Sequence, residues 1–374
     1  MSGKISEDPA RAPEAPPGLP ARLVLGPAAW LCGPGAWEAA AALLAAWPQP
    51  LGLLGEAGLL RRFRPQLQQA FLESGLQVEL LAQADGADCD EDGPARVLAQ
   101  ARPRNVKSLL ALGGGRMLDL GKRTAAAAAW RLATLPTSAA TCAAASAVAV
   151  VNGPAGGYLR VEDLGLAPEL CAVELPALRA APRRLLAAGL ADTLAKWLEW
   201  RAVEGPPAHF GAGAGWALAR QAAEACLAGG QRALAQPEGD DFVACVEACL
   251  LLSAAASCAG EAPAAAAHSL ANALSQQAAG RGLLHGEAVG LGLLWQESLL
   301  RGADRENMDL DSLRGYLRAW GLPVTLPVGL DLEGLLDDAL ADDETVHLMG
   351  LKLDADQARS HLPFDAEDGS QTKI

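Results

Sequence analysis

The sequence has little positive charge. Its 30 Lys and Arg residues stand against 44 Asp and Glu residues, which gives a formal net charge of −14. Nucleic acid is therefore excluded as an expected partner, because phosphate binding needs clustered Lys and Arg. Alanine-rich stretches such as Ala39–Trp47 are shorter than the roughly 20 apolar residues that span a bilayer. The proline-rich start of the chain has no apolar core of the kind found in signal peptides. We therefore expect a cytoplasmic protein without a membrane partner.

Aromatic residues are also few, at 4% of the chain, and the eight cysteines form no CxxC pair. The cysteine pattern predicts buried free thiols in a reducing compartment rather than disulfides or a metal site. About half of the residues are apolar, and much of that half is alanine, which favours helix over strand. A chain of 374 residues is long enough for two domains, each with its own core.

Short apolar runs alternate with helix-forming runs over residues 21–178. This alternation predicts a parallel sheet with helices on both faces. The predicted strands are Leu23–Leu25, Leu51–Leu54, Val78–Leu81, Ser108–Leu112 and Arg131–Leu135. A hairpin should follow, with strands Ala147–Val151 and Tyr158–Val161 joined by Asn-Gly-Pro-Ala-Gly-Gly. Residues 1–20 are predicted to be a disordered lead-in because they are polar and rich in proline.

After about Leu175 the strand pattern stops, and residues 179–374 are predicted to form an all-α domain. The helical segments are Ala181–Val203, Trp216–Leu227, Asp241–Cys258, Pro263–Gln277 and Gly286–Leu300. The predicted fold class is thus an α/β N-terminal domain followed by an α-helical C-terminal domain. A cleft between two such domains commonly holds a ligand.

The run KSLLALGGGRMLDLGKR holds a candidate phosphate-binding loop. A predicted strand leads into Gly113, Gly114 and Gly115, and a helix opens at Arg116. Glycines allow a tight turn and a close approach of the backbone, and a helix N-terminus attracts a pyrophosphate. The alternative is a plain glycine turn, since the run is not the GxGxxG fingerprint.

Polar residues after this loop are further candidates for cofactor contacts. Asp119 and Lys122 lie three residues apart and share a helix face. They either orient cofactor hydroxyls and phosphates or form a solvated surface pair. In the next loop, Thr137 and Ser138 follow a strand end, where open α/β sheets bind ligands. Their small side chains would fit beside a nicotinamide ring.

A metal site is predicted from an aspartate and two of the five histidines. His268 and His285 lie seventeen residues apart, each at the start of a predicted helix. Asp192 is expected at the head of an apolar helix, where a carboxylate is costly unless it is paired or binds a cation. Three such ligands leave a position open for a substrate oxygen. The alternative is an N-cap aspartate with two core histidines.

Taken together, these motifs resemble the iron-containing alcohol dehydrogenase superfamily, in its glycerol dehydrogenase and hydroxycarboxylate dehydrogenase branch. The matching stretches follow the family's order from about residue 22 to 350: GGGRMLDLGK, LPTSAATC, RRLLAAGLADTLAKW, AHSLANALS, LLHGEAVGLGLLWQ and DDETVHLMG. The resemblance implies a dehydroquinate synthase-like architecture, with residues 21–178 binding NAD(P) and residues 179–374 binding a metal. It also implies a homo-oligomer.

The resemblance further implies a metal-dependent NAD(P) oxidoreductase that interconverts a small-molecule alcohol and its carbonyl by hydride transfer. Carried over by position, the implied cofactor contacts are Gly115, Arg116, Asp119, Thr137 and Ser146. The implied metal ligands are Asp192, His268 and His285. Classical iron enzymes of the family carry a further histidine four residues after the aspartate. Lys196 stands at that position here, which favours a three-ligand zinc site over an iron(II) site.

The chain departs from the family pattern on the substrate side. The glycerol-contacting aspartate of the family falls at Cys142, and the tyrosine often found near the nicotinamide falls at Asn152. Lys196 shares a helix face with Asp192 and could hold a substrate carboxylate, or it could pair with Asp192 or a surface acid. A 2-oxo acid reductase, resembling hydroxycarboxylate dehydrogenase, is therefore an alternative to a polyol dehydrogenase.

The sequence leaves open the choice between NAD and NADP, and it leaves two alternatives to the dehydrogenase function. Glu56 follows the second strand, where an acid accepts a hydrogen bond from the ribose of NAD. Arg61, Arg62 and Arg64 would instead suit the 2′-phosphate of NADP, so NAD is favoured with NADP possible. A catalytically degenerate homologue is one alternative function. A dehydroquinate synthase-like lyase is the other, although its metal aspartate equivalent is a glutamate, and this chain has Asp192.

Overall fold

The computed structural model describes residues 25–153, 156–203, 210–260 and 263–364. Its centre is a six-stranded sheet in which all neighbouring strands pair in parallel. Those strands are β1 Ala29–Gly33, β2 Leu51–Glu56, β3 Val78–Gln83, β4 Ser108–Gly113, β5 Arg131–Pro136 and β8 Leu170–Glu174. The antiparallel hairpin of β6 Val148–Asn152 and β7 Tyr158–Asp163 stands apart from them.

The order of the strands in the sheet is β1-β8-β5-β4-β2-β3. The chain leaves β2 for the edge strand β3 and then crosses back to β4 on the other side of β2. The loops that follow β2 and β4 therefore run in opposite directions. Parallel sheets bind their ligands at such a switch point, outside the carboxyl ends of the strands.

Helices cover both faces of the sheet. They are α1 Ala36–Leu44, α2 Ala57–Arg62, α3 Arg64–Leu67, α4 Gly93–Ala101 and α5 Gly115–Ala128. Alternate residues of β4 belong to different cores: Leu109 packs in one with Leu118 of α5, and Leu110 packs in the other with Trp37 of α1. Side chains of a strand point to opposite faces in turn, so burial on both faces explains why β4 is apolar throughout.

Helices alone follow β8 in the described chain. They are α6 Leu175–Arg179, α7 Arg183–Ala202, α8 Phe210–Ala235, α9 Asp240–Glu247, α10 Ser253–Gly260, α11 Ala266–Gln276, α12 His285–Gly302, α13 Leu310–Ala319, α14 Leu332–Ala339 and α15 Ala355–Ser360. The central helix is α12, which contacts α7, α11 and α13. Most of its residues are buried, Trp295 completely, as expected of a helix that is apolar on all sides.

The predicted fold class is confirmed: an α/β part precedes a helical part. Four of the five predicted strands and the hairpin are present. The first strand was misplaced, because Leu25 lies outside any strand and β1 is Ala29–Gly33; residues 23 and 24 lie outside the described residues. Strand β8 was not predicted, because its five-residue apolar run fits a buried strand and a helix equally well. Residues 1–20 are likewise outside the described range.

One described segment, Asp240–Ala259, is long and apolar enough to cross a membrane by length and composition alone. It comprises α9, a π-helical turn and most of α10, and it contacts α8 along its length. Within its most apolar window 61% of the residues are buried in the fold. Packing in the helical core accounts for its apolar character. The eight cysteines are all free, and Cys245 and Cys249 of this segment are buried, as predicted.

Candidate functional site

Asp192, His268 and His285 come together from three helices. The ligand atoms that they offer all lie within 4.8 Å of one another. Oδ1 of Asp192 lies 3.6 Å from Nε2 of His268 and 3.6 Å from Nε2 of His285. Both rings thus turn their Nε2 atoms to one carboxylate oxygen. One carboxylate and two imidazoles whose ligand atoms point to the same position can bind a divalent cation such as zinc.

The predicted positions of the two histidines within their helices are confirmed, and that of Asp192 is wrong. His268 is the third residue of α11 and His285 is the first of α12, so both lie at helix starts, as predicted. Asp192 was predicted at the head of its helix and is instead the tenth of the twenty residues of α7. It cannot be an N-cap there, and its side chain is only 5% exposed.

Glu199 supports this cluster, and sequence reasoning missed it. It lies seven residues, or two helical turns, after Asp192 on α7, and it is fully buried. Its Oε2 lies 2.6 Å from Nδ1 of His268. Its Oε1 accepts hydrogen bonds from the backbone amides of Ala265 (2.7 Å) and His268 (3.0 Å). The i, i+7 spacing from Asp192 was the available signal, since it places both carboxylates on one face of an apolar helix.

The electrostatics of the cluster follow from these contacts. Burial acts to raise the pKa of Asp192, but its contacts with His268 and His285 outweigh burial and hold that pKa well below its usual range. Burial acts to lower the pKa of His268, but Glu199 and then Asp192 raise it to about 9. The pocket therefore stabilises positive charge on His268, where a cation would compete with a proton.

Two glycines allow the three helices to approach closely. A Cβ atom on Gly286, the residue after His285, would lie 1.9 Å from the carbonyl oxygen of Ala188 on α7. A Cβ atom on Gly292 would lie 2.1 Å from the carbonyl oxygen of Ala267, which precedes His268. Only glycine leaves room for backbone contacts of this kind. Glycine at these two positions therefore lets α12 pack directly against both α7 and α11.

The glycine loop lies at the carboxyl end of β4, at the switch point of the sheet. The first intrahelical bond of α5 runs from the amide of Leu118 to the carbonyl of Gly114. The amides of Gly115, Arg116 and Met117 precede it, and such first-turn donors attract an anion. A Cβ atom on Gly115 would lie 2.8 Å from Oγ1 of Thr141. Glycine at this position thus lets the loop that follows β5 pack against the start of α5.

Asp119, Lys122 and Ser146 form one buried cluster. Nζ of Lys122 lies 2.7 Å from Oδ1 of Asp119 and 3.0 Å from Oγ of Ser146, and it also donates to the carbonyl of Val148. Asp119 accepts from the amide of Val150 (3.1 Å). The surface-pair reading of Asp119 and Lys122 is wrong, because both side chains are buried. Their side chains connect α5 to β6, and the predicted cofactor contacts remain predictions.

The second predicted cofactor loop follows β5. The amide of Thr137 donates to the carbonyl of Gly113 (3.0 Å), which joins this loop to the glycine loop. Thr137 and Ser138 are both buried. Further along, Cys142 begins a 3-10 turn and is partly exposed. A Cβ atom on Gly189 of α7 would lie 1.8 Å from the carbonyl oxygen of Ala139, so this loop packs directly against the helix that carries Asp192.

Residues beyond the end of β2 bear on cofactor choice. Glu56 is the last residue of β2 and is partly exposed. Arg61 forms an exposed ion pair with Asp85, 3.6 Å apart, and Arg62 donates to the carbonyl of Ala180 (2.7 Å). Arg64 is exposed. Two of the three arginines considered for a 2′-phosphate thus have partners within the protein.

The other two described histidines, His347 and His361, contact backbone carbonyls outside the cluster. Nε2 of His347 contacts the carbonyls of Leu340 and Ala341, and Nδ1 of His361 contacts the carbonyl of Gln357. His209 lies outside the described residues. Arg116, at the start of α5, forms a 3.8 Å ion pair with Asp88.

Comparisons with known proteins agree with this geometry. Residues 27–174 match the family model for iron-containing alcohol dehydrogenases. Glycerol dehydrogenase from Pseudomonas putida is 30% identical over 322 residues, which cover 79% of this chain and 86% of that protein. Hydroxycarboxylate dehydrogenase A from Escherichia coli is 28% identical over 288 residues, covering 73% and 78%.

The fold is also similar to that of a solved protein. A probable glycerol dehydrogenase from Sinorhizobium meliloti superposes with a TM-score of 0.79 at 24% identity, covering 91% of this chain and 97% of that chain. The resemblance inferred from the sequence motifs is therefore confirmed. The chain belongs to the iron-containing alcohol dehydrogenase family and is a dehydrogenase that acts on CH–OH groups.

Proposed function

We propose that this protein is a metal-dependent NAD(P) oxidoreductase that interconverts a small-molecule alcohol and its carbonyl by hydride transfer. The observation that carries the proposal is the convergence of Asp192, His268 and His285 on one point. The family membership adds the reaction class. A degenerate homologue would be expected to lose such a cluster, and all three side chains are present in this one.

Asp192, His268 and His285 would hold the divalent cation. When bound, the cation would supply Lewis-acid activation of the substrate oxygen. Glu199 fixes His268 so that Nδ1 faces the carboxylate and Nε2 faces the ligand point. Zinc is favoured over iron(II), because Lys196 stands one turn after Asp192, where a four-ligand iron site has its third histidine, and three protein ligands leave one position open.

The nucleotide would bind along the carboxyl edge of the sheet. Gly113, Gly114 and Gly115 would give its pyrophosphate a close backbone approach, with the amides of the first turn of α5 as donors. The other proposed contacts are Arg116, Thr137, Ser138 and the cluster of Asp119, Lys122 and Ser146, of which Thr137 and Ser138 are suited to the nicotinamide end. NAD is favoured over NADP by Glu56 and by the internal partners of Arg61 and Arg62.

The substrate would lie between the loop that follows β5 and helix α7, with Cys142 and Lys196 beside it. The proton balance requires no separate side-chain base, since water can carry the proton of the hydroxyl. We further propose a cytoplasmic homo-oligomer in which residues 21–178 bind the nucleotide and residues 179–374 bind the metal. Family membership and the change from strands to helices after Glu174 support this division.

The test begins with the purified full chain, stripped with a chelator and reloaded with zinc or iron(II). Turnover of polyols, 1,2-diols, aldehydes and 2-oxo acids is followed through the absorbance of NADH and NADPH. We expect turnover only in the reloaded protein. The Asp192→Asn and His285→Ala variants should lose about 1,000-fold in kcat/KM, while NADH affinity changes by less than about twofold. His347→Ala is the matched control. Turnover that survives chelation and both substitutions would contradict the proposal.

A further inference from the structure

The two histidines of the candidate metal site are held in different ways. The Oε2 atom of Glu199 lies 2.6 Å from Nδ1 of His268. The Nε2 atom of His285 faces Asp192 at 3.6 Å, but in the part of the chain that the structure describes no atom forms a hydrogen bond with its Nδ1. The side chain of His285 is also the more exposed of the two, at 44% against 17%. The position of its ring therefore depends on the backbone that carries it, the first turn of α12.

A buried carboxylate holds this turn. Glu287 lies two residues after His285, in the first turn of α12, and its side chain is only 5% exposed. Its Oε2 accepts a hydrogen bond from the backbone amide of Leu284, the residue before His285 (2.8 Å). A carboxylate at the start of a helix is also favoured by the helix dipole. Glu287 thus connects the residues on the two sides of His285.

Arg184, the second residue of α7, contacts the same turn from the neighbouring helix. Its Nε lies 2.5 Å from Oε1 of Glu287, and its Nη2 lies 2.6 Å from Oε2. This bidentate geometry fixes the direction of the carboxylate. The same Nη2 donates to the carbonyl of Gly282 (2.9 Å). Because a cation in the first turn of a helix opposes the helix dipole, the contacts with residues 282–287 are what stabilise an arginine at this position.

The turn that carries His285 lies directly against α7. A Cβ atom on Gly286 would lie 1.9 Å from the carbonyl oxygen of Ala188, which is one helical turn after Arg184. A further turn along α7 is Asp192, the proposed ligand. Close-packed elements of this kind transmit small displacements to their neighbours. A change in how Arg184 holds the turn should therefore move His285 relative to Asp192.

We propose that Arg184 and Glu287 are positioning residues that hold His285 in the geometry that a divalent cation requires. The inference rests on the proposed function, since it concerns the metal site proposed there. Glu199 orients His268 by direct contact with its ring. Arg184 acts on His285 indirectly, through Glu287 and the turn that precedes the histidine. Helix α7 thereby positions both histidines and supplies the third ligand.

The experiment measures zinc affinity without substrate, by competition with a chromophoric chelator. Arg184→Met removes the ion pair, and the double variant Arg184→Met with Glu287→Gln removes it without leaving an unpaired buried charge. The glutamine keeps one oxygen for the amide of Leu284. Arg232→Met is the matched control, because Arg232 and Asp241 form a bidentate pair of similar geometry (2.6 and 2.9 Å) between α8 and α9. Urea unfolding measures the stability of each variant separately.

We expect Arg184→Met and the double variant to bind zinc about tenfold more weakly than the unmodified protein does. Arg232→Met should keep the zinc affinity of the unmodified protein, even if it loses stability. Arg184→Lys keeps the charge without the bidentate geometry and should restore part of the affinity. An unchanged zinc affinity in the double variant would overturn the inference, as would an equal loss in Arg232→Met.

A second comparison identifies the residue through which Arg184 acts. In a His285→Ala background, measured with a weaker chelator, Arg184→Met should reduce zinc affinity by less than about twofold, because the histidine that it positions is gone. In a Glu199→Gln background it should still cost about tenfold, since that glutamate acts on His268. Losses of similar size in both backgrounds would show a general structural role and overturn the inference.

Turnover by the same proteins separates this inference from the proposed function. If zinc affinity depends on Arg184 through His285 but the zinc-loaded protein turns over no alcohol or carbonyl compound, the proposed reaction fails and the positioning role stands. If His285→Ala abolishes zinc-dependent turnover while the double variant keeps full zinc affinity, the positioning role is refuted and the proposed reaction stands.

Discussion

Nδ1 of His268 lies 2.6 Å from Oε2 of Glu199, and the same histidine directs Nε2 to Asp192. Both acids belong to α7, two turns apart. A single helix therefore supplies a candidate metal ligand and the carboxylate that orients a second one. Carboxylates behind a metal-binding imidazole fix its tautomer and increase its basicity. The contact with Glu199 therefore fixes the orientation of His268 in the candidate site.

Glu199→Gln should weaken zinc binding by about 10- to 100-fold. The amide is nearly isosteric but lacks the charge that orients and polarises His268. The measurement is competition with a chromophoric chelator, with no substrate present. Glu306→Gln serves as the control, since the Glu306 side chain is 88% exposed. An unchanged zinc affinity in Glu199→Gln would show that the carboxylate has only a packing role.

Gly292→Ala should lower both zinc affinity and stability. The added Cβ would lie 2.1 Å from the carbonyl oxygen of Ala267, so α12 must move away from α11, and His285 must move away from His268. We expect a loss of about 2 kcal/mol in unfolding free energy, as for overpacking in a tight core. Gly315→Ala on α13 is the matched control, because a Cβ atom there meets nothing within 4 Å. That variant should be neutral or slightly more stable.

Lys122→Met should destabilise the protein by about 3 kcal/mol, because it leaves the buried carboxylate of Asp119 without its cation. Urea unfolding measures this loss. The double variant Asp119→Asn with Lys122→Met should recover part of it, since no unpaired charge remains. Lys107→Met, at an exposed position, is the control. A drop in NADH affinity without a drop in stability would instead favour a direct contact between Lys122 and the cofactor.

Glu297→Gln should stabilise the protein near neutral pH but not in acid. Burial raises the pKa of Glu297 above its usual value, so the protonated form suits the fold. The protonated side chain contributes its full stabilisation of the fold below the unfolded-state pKa of about 4.3. This stabilisation is lost as pH rises through the higher folded-state pKa. The amide cannot ionise and should avoid this loss.

The expected gain for Glu297→Gln is about 2 °C in Tm at pH 7, shrinking to zero near pH 4. Scanning calorimetry at several pH values measures it. The amide keeps one oxygen for the backbone N–H of Met308, which the carboxylate accepts at 2.5 Å. A difference between the two proteins that does not vary with pH would show that packing, rather than ionisation, is responsible.

Much of the fold could be predicted because its signals are local. The runs that form β2, β3, β4 and β5 are apolar and bounded by turns, and the glycine-rich link of the hairpin is a short-range signal. The two histidines could be selected because they are few and each opens a helix. Strands β1 and β8 were not predicted at their positions, because a run of five apolar residues has no periodicity that separates a strand from a helix.

The sequence by itself determined which chemistry is available: an aspartate in an apolar helix, two helix-start histidines and a glycine loop after a strand. The tertiary structure decided how these parts meet. It placed Asp192 in the middle of α7 rather than at its head, buried Asp119 with Lys122, and turned Glu199 toward His268. Periodicity and turn residues act over a few positions, whereas the meeting of residues 192, 199, 268 and 285 depends on how whole helices pack. Only the packed chain contains that information.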